Sequence, residues 1–431
     1  MTPLKWKPRR LFFGWWVVGA SFVITFYTGG IVFYGFTAVF EPIADEMGWS
    51  YTQISLAASL RGLEMGILAP LTGILVDRWG PRRLVFIGAL FTAVGLVFLS
   101  QTTSIGMFYG AFILIAIGVS CCTLTVLLTA VANWFREKIG IASGIALTGF
   151  GFSGLMIPLI VKLIDTYDWR NTMTILAIGM LVTVLPLSLI LRHKPEQYGY
   201  LPDGRTEGPA VLDNGSVLTQ VTEVEIKIKQ ALKSSTFWRM VLAFACHVTL
   251  VTAIITHVMP YLSSIGISRA KASLVATAIP LMSIGGRLGL GWLGDKIDRR
   301  KVSAVAFAMM GIGEFCFGYA STGKTWLLIP FLILFGLGYG GVNSMRPSLG
   351  REYFGRSSFG TIFGFLVGIS TLGTIAGPFL AGWAYDNWGS YQGMWLIFVS
   401  LPLAAAISIL TIHPVKTKAK TVDKNLTLIQ D

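Results

Sequence analysis

The stretch 283–300, SIGGRLGLGWLGDKIDRR, carries one guanidinium, Arg287, in an apolar run eight residues before Asp295. If Asp295 marks the end of a membrane span, Arg287 lies about 12 Å inside it. An arginine at that depth costs roughly 2.5–3.5 kcal/mol on insertion scales, so it needs a partner, a route to water or an anion. Three readings stand: a ligand carboxylate gripped by the planar fork, a structural ion pair, or snorkelling to the interface. Gly285, Gly286, Gly289 and Gly291 around it would let another helix or a ligand approach closely.

Other polar groups interrupt apolar runs. Arg61 and Glu64, three residues apart, share a helical face. They read as a self-satisfied ion pair, with an outer gate or proton relay as the other role. His247 and His257 fall in one run; either could carry a proton at working pH or simply hydrogen-bond a neighbouring helix. Glu314 is a third proton candidate. Tyr339, Asn343 and Arg346 form a stripe at i, i+4, i+7, and Tyr27 and Tyr34 form another. Arg346 is expected to pair with Glu352 or Asp295.

The elements that position these residues follow from composition. Of 431 residues, 54% are hydrophobic and 13% charged; soluble domains carry about 25% charged, so the chain is read as an integral membrane protein in a lipid bilayer. Runs of about 20 apolar residues place twelve spans near 13–38, 50–76, 83–101, 104–132, 138–163, 169–191, 237–263, 269–294, 301–321, 325–349, 358–384 and 390–412. The expected organisation is an all-α membrane protein of two six-helix bundles, 1–192 and 237–415. A polar linker, 193–236, joins them and a tail, 416–431, follows. Cys121, Cys122, Cys246 and Cys316 sit in apolar runs and read as packing residues rather than disulfides or metal ligands.

Basic residues collect on one side: Lys5, Lys7, Arg9, Arg10, Arg78, Arg82, Arg83, Arg136, Lys138, the 295–301 and 351–356 loops and the tail lysines. The other side has Arg170, Arg269, Lys271, Lys324 and the acidic EPIADEM. This asymmetry puts both termini in the cytoplasm. The net charge of +13 is therefore topological, and nucleic acid is not an expected partner.

GILVDRWGPRR (73–83) returns as GWLGDKIDRRK (291–301), and Tyr167-Asp168 returns as Tyr385-Asp386, each 218 residues later. Such spacing across six spans points to duplication, an architecture in which transporters are built from two parallel repeats. Both loops resemble the signature G-x-L-x-D-R/K-x-G-R-R/K of the major facilitator superfamily. Asp298 departs from it where glycine is usual. The resemblance implies that these loops, with Asp77, Arg78, Arg82, Arg83, Asp295, Arg299 and Arg300, lock the halves on the cytoplasmic side. Arg61 and Arg346 are added to that charge network as candidates.

RRLFFGWWVV at the start and the GGR of span eight resemble the monocarboxylate transporter and oxalate–formate antiporter group. In that group a span-eight arginine binds the substrate carboxylate, which the resemblance carries onto Arg287. Spans one, four, seven and ten line the cavity in the family, which makes Tyr34, Tyr339, Asn343 and Tyr27 candidate substrate residues. Residues 358–384 contain no Lys or Arg, unlike the oxalate exchanger, which favours a single carboxylate.

The expected protein is a monomeric secondary carrier of small organic anions, monocarboxylates first, working by alternating access with a proton on His247, His257 or Glu64. Symport across a bacterial inner membrane is the expected setting. An exporter of apolar or amphiphilic compounds and a transporter-like nutrient receptor are the alternatives. No cofactor or metal is expected. A phosphate-cradling loop with Lys-Ser/Thr is missing, and the scattered histidines and cysteines do not assemble an enzyme site.

Overall fold

The computed structural model describes residues 12–122, 124–135, 139–193, 195–198, 228–354 and 359–413, and they are helical apart from short connections. The N-terminal helices are α1 (Phe13–Thr28), α2 (Phe36–Met47), α3 (Tyr51–Ser100), α4 (Ile105–Ser120), α5 (Leu124–Trp134), α6 (Ile139–Phe152) and α7 (Met156–Ile190). A short α8 (Ile228–Lys233) precedes the C-terminal helices. These are α9 (Ser235–Ser264), α10 (Arg269–Lys296), α11 (Arg299–Gly318), α12 (Leu328–Phe354), α13 (Phe359–Ser370), α14 (Leu372–Trp388), α15 (Gln392–Phe398) and α16 (Ser400–Leu410). Among the described residues nine helical segments are long and apolar enough to cross a membrane. Large apolar side chains such as Val94, Val182 and Ile407 point outward, each more than half exposed, as a surface solvated by lipid requires. All four cysteines are free.

Two helices double back. α3 reverses at Gly80, whose φ of 76° suits a residue without Cβ; Pro81 then opens the second arm with its φ already helical. The reversal brings the two ends of α3 to one side. Gln53 near its start accepts from Tyr109 of α4, and Ser100 at its end accepts from Arg170, which also binds Glu46 of α2. α7 reverses at Asp168, φ 68°, where the carboxylate accepts from the Asn171 backbone and side-chain N–H groups at 2.8 and 2.9 Å. At the repeat position of Gly80, Asp298 turns the chain differently. Its φ is −51° and its side chain caps α11 by accepting from the Arg300 N–H at 2.9 Å. The break in the sequence signature thus replaces a left-handed glycine by an N-cap.

The N-terminal and C-terminal helices are fastened at the end opposite the basic loops. The Asp386 carboxylate of α14 accepts from the backbone N–H groups of Tyr51 and Thr52, at 3.1 and 2.8 Å, and from the Thr52 hydroxyl. It caps the first turn of α3, where unsatisfied N–H groups and the helix dipole favour a negative charge. Tyr51 stacks on Tyr385 with centroids 4.4 Å apart. Ser263 donates to Glu41, Arg269 donates to the Ala38 carbonyl, and Arg269 faces Asp165 at 3.8 Å.

At the basic end the described hydrogen bonds and ion pairs stay within one set of helices. Arg299 reaches Asp295 at 3.5 Å and Glu352 at 3.2 Å, and Arg300 binds Asp298 at 2.7 Å. That hydrogen bond holds the Asp298 carboxyl below the usual carboxylate range.

Removing the Asp386 carboxylate should loosen this closure. A lost helix cap costs about 0.5–2 kcal/mol, enough to move a two-state population by several-fold. Spin labels at Asp45 and Asn387, which flank the seam, should show a longer-distance component in Asp386→Ala. An unchanged distance distribution would show that the cap holds nothing.

Candidate functional site

The position of Arg287 is fixed by how closely α10 and α12 approach. A Cβ added at Gly286 would run into the Leu337 carbonyl, and one at Gly340 into the Ser283 carbonyl. These two glycines let the helix backbones touch, as small residues do where helices pack in a membrane. The Arg287 backbone therefore lies against Gly340, and the Ser344 hydroxyl reaches the Arg287 carbonyl at 3.4 Å.

A cavity of about 450 Å³ opens beside this contact, lined by Gly144, Leu147, Thr148 and Phe150 of α6, Ile284, Arg287 and Leu288 of α10, and Tyr339, Asn343, Ser344 and Pro347 of α12. Its inner end is closed: Tyr339 is 6% exposed and its hydroxyl lies 3.3 Å from that of Tyr34, in the π-helical turn Gly29–Tyr34. Of the other lining residues, Leu288 is 68% exposed. The walls are apolar, with Arg287, Tyr339, Asn343, Thr148 and Ser344 as the polar groups. That composition suits an amphiphilic small molecule oriented by a few fixed contacts.

Among the described residues nothing pairs with the Arg287 guanidinium, and its Nε is buried without a partner. It lies within electrostatic range of the Tyr34 hydroxyl. A cation in an apolar wall with open terminal N–H groups can bind a carboxylate through two parallel hydrogen bonds.

The other sequence candidates distribute differently. Tyr339, Asn343 and Arg287 line the cavity, and Tyr34 adjoins it through the Tyr339 hydroxyl. Tyr27 points away from it, donating to the Leu176 carbonyl at 2.9 Å. The expected Arg61–Glu64 pair does not form. The wider π turn leaves the Val32 carbonyl to accept from Arg61, whose guanidinium also lies over Phe33 and Phe36. Glu64 keeps Oε2 buried without a partner. Arg346 does not pair with Glu352 or Asp295 either, because Arg299 takes both.

The two histidines separate clearly. His257 belongs to the closed end: Nε2 faces the Pro378 carbonyl and the Ser55 hydroxyl, both at 3.0 Å, and Nδ1 faces the Tyr391 hydroxyl at 2.9 Å. A carbonyl only accepts, so Nε2 carries the hydrogen and Nδ1 accepts from Tyr391. The neutral ring is thus fully bonded. His247 stacks on Tyr339, centroids 5.9 Å apart, with both ring nitrogens unpartnered. Glu314 is buried on α11, outside the cavity lining. Of the charge network expected at the basic end, Arg78, Arg82 and Arg83 are exposed, while the Asp77 side chain and residues 136–138 lie outside the described residues.

Sequence reasoning missed the fastening groups Asp386, Ser55 and Thr52. The recurrence of Tyr-Asp at 167 and 385 was the available signal, since both pairs sit at corresponding helix turns.

Comparisons with known proteins agree in fold and family. The sequence profile of the Major Facilitator Superfamily matches residues 20–289 and 248–428. Monocarboxylate transporter 12-B of Danio rerio is 22% identical over 440 residues, covering 96% of this chain and 89% of that protein. Monocarboxylate transporter 13 of Rattus norvegicus is 25% identical over 410 residues, 93% of this chain and 89% of that one. The oxalate:formate antiporter of Oxalobacter formigenes is 22% identical over 392 residues and 90% of each chain. Among solved structures, the nucleoside transporter NupG superposes with a TM-score of 0.72 at 14% identity, over 93% of this chain and 98% of that one. A bacterial homolog of the human lysosomal transporter Spinster, inward-facing and occupied, gives 0.68 at 15%, over 93% and 95%.

The helix contact that sets Arg287 predicts a contrast between neighbouring glycines. Gly340→Ala should lower the melting temperature of the purified protein, since overpacking at a tight contact costs about 1–3 kcal/mol. Gly289→Ala, with open space around it, should not. Equal effects would mean that the α10–α12 approach does not depend on Gly340.

Proposed function

The chain belongs to the major facilitator superfamily, and from that premise we propose that it carries small organic monocarboxylates across the membrane by alternating access. It is an integral membrane transporter and not an enzyme. The observation that carries the substrate reading is the Arg287 guanidinium, unpaired among the described residues, in the apolar wall of a cavity bounded by the Tyr34–Tyr339 contact. A carboxylate would supply the missing charge, the Tyr34–Tyr339 hydroxyl pair and Asn343 would orient it, and the apolar walls would take a short hydrocarbon tail. Relatives named as monocarboxylate transporters and as an oxalate:formate antiporter support the same class.

The reversals at Gly80 and Asp168 favour twelve crossings, six in an N-terminal bundle (1–192) and six in a C-terminal bundle (237–415), joined by 193–236. The basic loops favour a cytoplasmic placement of that end and of both termini. In that orientation the cavity faces the cytoplasm and the Asp386 seam closes the outside. Rocking of one bundle against the other would exchange the two closures, with the charged loops around Asp77 and Asp295 taking over on the cytoplasmic side. A coupled proton fits His247 or Glu64, which keep unpartnered polar atoms, better than the fully bonded His257.

Arg287→Lys keeps the charge and loses the fork. In proteoliposomes it should fold and insert normally but lose most carboxylate uptake, about tenfold or more for a charge-assisted bidentate contact. Uptake at the parent rate would remove the carboxylate assignment.

A further inference from the structure

A groove runs between α3 beyond Gly80 and α7 beyond Asp168. At the basic end Trp79, Arg82, Arg83, Phe86 and Ile87 of α3 and Leu189 of α7 line a hollow of about 340 Å³. Further along the same two helices lies a second hollow of about 320 Å³. Ala93 and Ala177 form its buried floor, and Leu90, Val94 and Ile178 form an exposed rim. The α3 positions recur every three or four residues from 82 to 97, so the two hollows follow one another along one helix face.

The ends of this groove differ in chemistry. Arg82 and Arg83 are exposed at one end, and the uncharged Gln101 closes the lining at the other. Eighteen residues separate Arg83 from Gln101, about 27 Å of helix, close to the hydrocarbon thickness of about 30 Å. The arginines and the half-exposed Trp79 therefore stand at headgroup level, where basic side chains and indole rings collect. The apolar stretch between the ends crosses the hydrocarbon.

Among the described residues no hydrogen bond or ion pair engages either guanidinium. The described acids of the basic end, Asp295, Asp298 and Glu352, face Arg299 and Arg300. The internal repeat shows what is missing. Arg300 lies 218 residues after Arg82 and is held by Asp298 at 2.7 Å. The position equivalent to Asp298 is Gly80, which has no carboxylate, so Arg82 lacks the acceptor that its counterpart has.

We propose that this groove is a docking site for an anionic phospholipid from the leaflet at the basic end. The phosphodiester and headgroup lie against Arg82 and Arg83 through charge-assisted hydrogen bonds, and an acyl chain follows Phe86, Ile87 and Leu90. One leaflet contributes about 15 Å of hydrocarbon, ten residues of helix, which ends at Ala93 on the floor of the second hollow. Charge complementarity selects the occupant. A zwitterionic lipid brings its own cation to the arginines, and an anionic one does not. A second copy of this chain in the same bilayer would bring its own basic loops to the same level.

Native mass spectrometry tests the site on the purified full-length protein, delipidated and then titrated with dioleoyl phosphatidylglycerol or dioleoyl phosphatidylcholine. The parent should bind the first about fivefold or more tighter, the scale of one basic side chain against an anionic lipid. Arg82→Gln combined with Arg83→Gln should bring that ratio toward one and leave phosphatidylcholine binding unchanged. The single variants should each lower the ratio in part, and they carry the test if the double variant does not fold. Lys301→Gln, 218 residues after Arg83, removes the same charge elsewhere on the basic end and should leave the ratio intact. Glycerol 3-phosphate, a headgroup without chains, should not displace the bound lipid at equal concentration. A parent ratio near one, a ratio unchanged in the arginine variants, an equal loss in Lys301→Gln, or displacement by glycerol 3-phosphate would overturn the site. A dimer that forms on delipidation and is abolished by Val94→Glu would give the groove to a second copy instead.

Discussion

Everything in this structure turns on a guanidinium, that of Arg287, which no described residue neutralises, at the meeting point of two sets of helices. In hydrocarbon such a charge is tolerable only where water or an anion can reach it. The packing meets both conditions. Gly286 and Gly340 bring α10 and α12 into backbone contact and fix where Arg287 stands, and a cavity lies beside it. The same charge bears on any conformational change. Closing the basic end around a bare cation would strip its water without replacement, whereas closing around a cation–carboxylate pair would not. Differential stabilisation of the closed form by a bound anion is what a carrier needs from its ligand.

The two ends of the molecule use different chemistry for closure. The fastened end relies on a carboxylate at a helix N-terminus, a fully bonded neutral histidine and stacked tyrosines. Each contact is modest and none buries an unpaired charge, so the seam can separate without stranding an ion in lipid. The basic end carries arginines that are free or paired within their own set of helices. The Tyr-Asp pair that recurs at 218-residue spacing thus serves two different roles. Tyr167-Asp168 makes a self-capped reversal, and Tyr385-Asp386 makes the cross-seam cap.

The fold was largely legible because lipid leaves few solutions. Long apolar runs must become helices, and the glycine–proline at 80–81 marks a reversal that its positive φ explains. The cavity residues Arg287, Tyr339 and Asn343, with the adjoining Tyr34, were legible as polar groups on apolar faces. Their neighbours were not, because helical periodicity assigns a face without saying which helix lies opposite. Arg61 and Glu64 share a face, yet the π turn at Gly29–Tyr34 offers Arg61 a carbonyl that no regular helix would have free. Arg346 had two acids at plausible spacing, but Arg299 reaches both first and leaves Arg346 on phenylalanine rings.

The depth of the closed segment shows why the Tyr34–Tyr339 pair is a floor and not a passing contact. From Tyr34 to Glu46 the first span continues for twelve residues, about 18 Å of helix. Over that length Phe40, His257 and Tyr391 pack between the two sets of helices, with Phe36 behind Phe40. A solute on Arg287 is therefore separated from the far side by a packed layer that side-chain rotation alone cannot open. Access from that side requires the Asp386, Ser55–His257 and Arg269 contacts to part together, a movement of whole helices. The hydroxyl pair is a buried polar contact between the two sets beside the cavity, so the boundary between the cavity and the closed segment runs through those two oxygens.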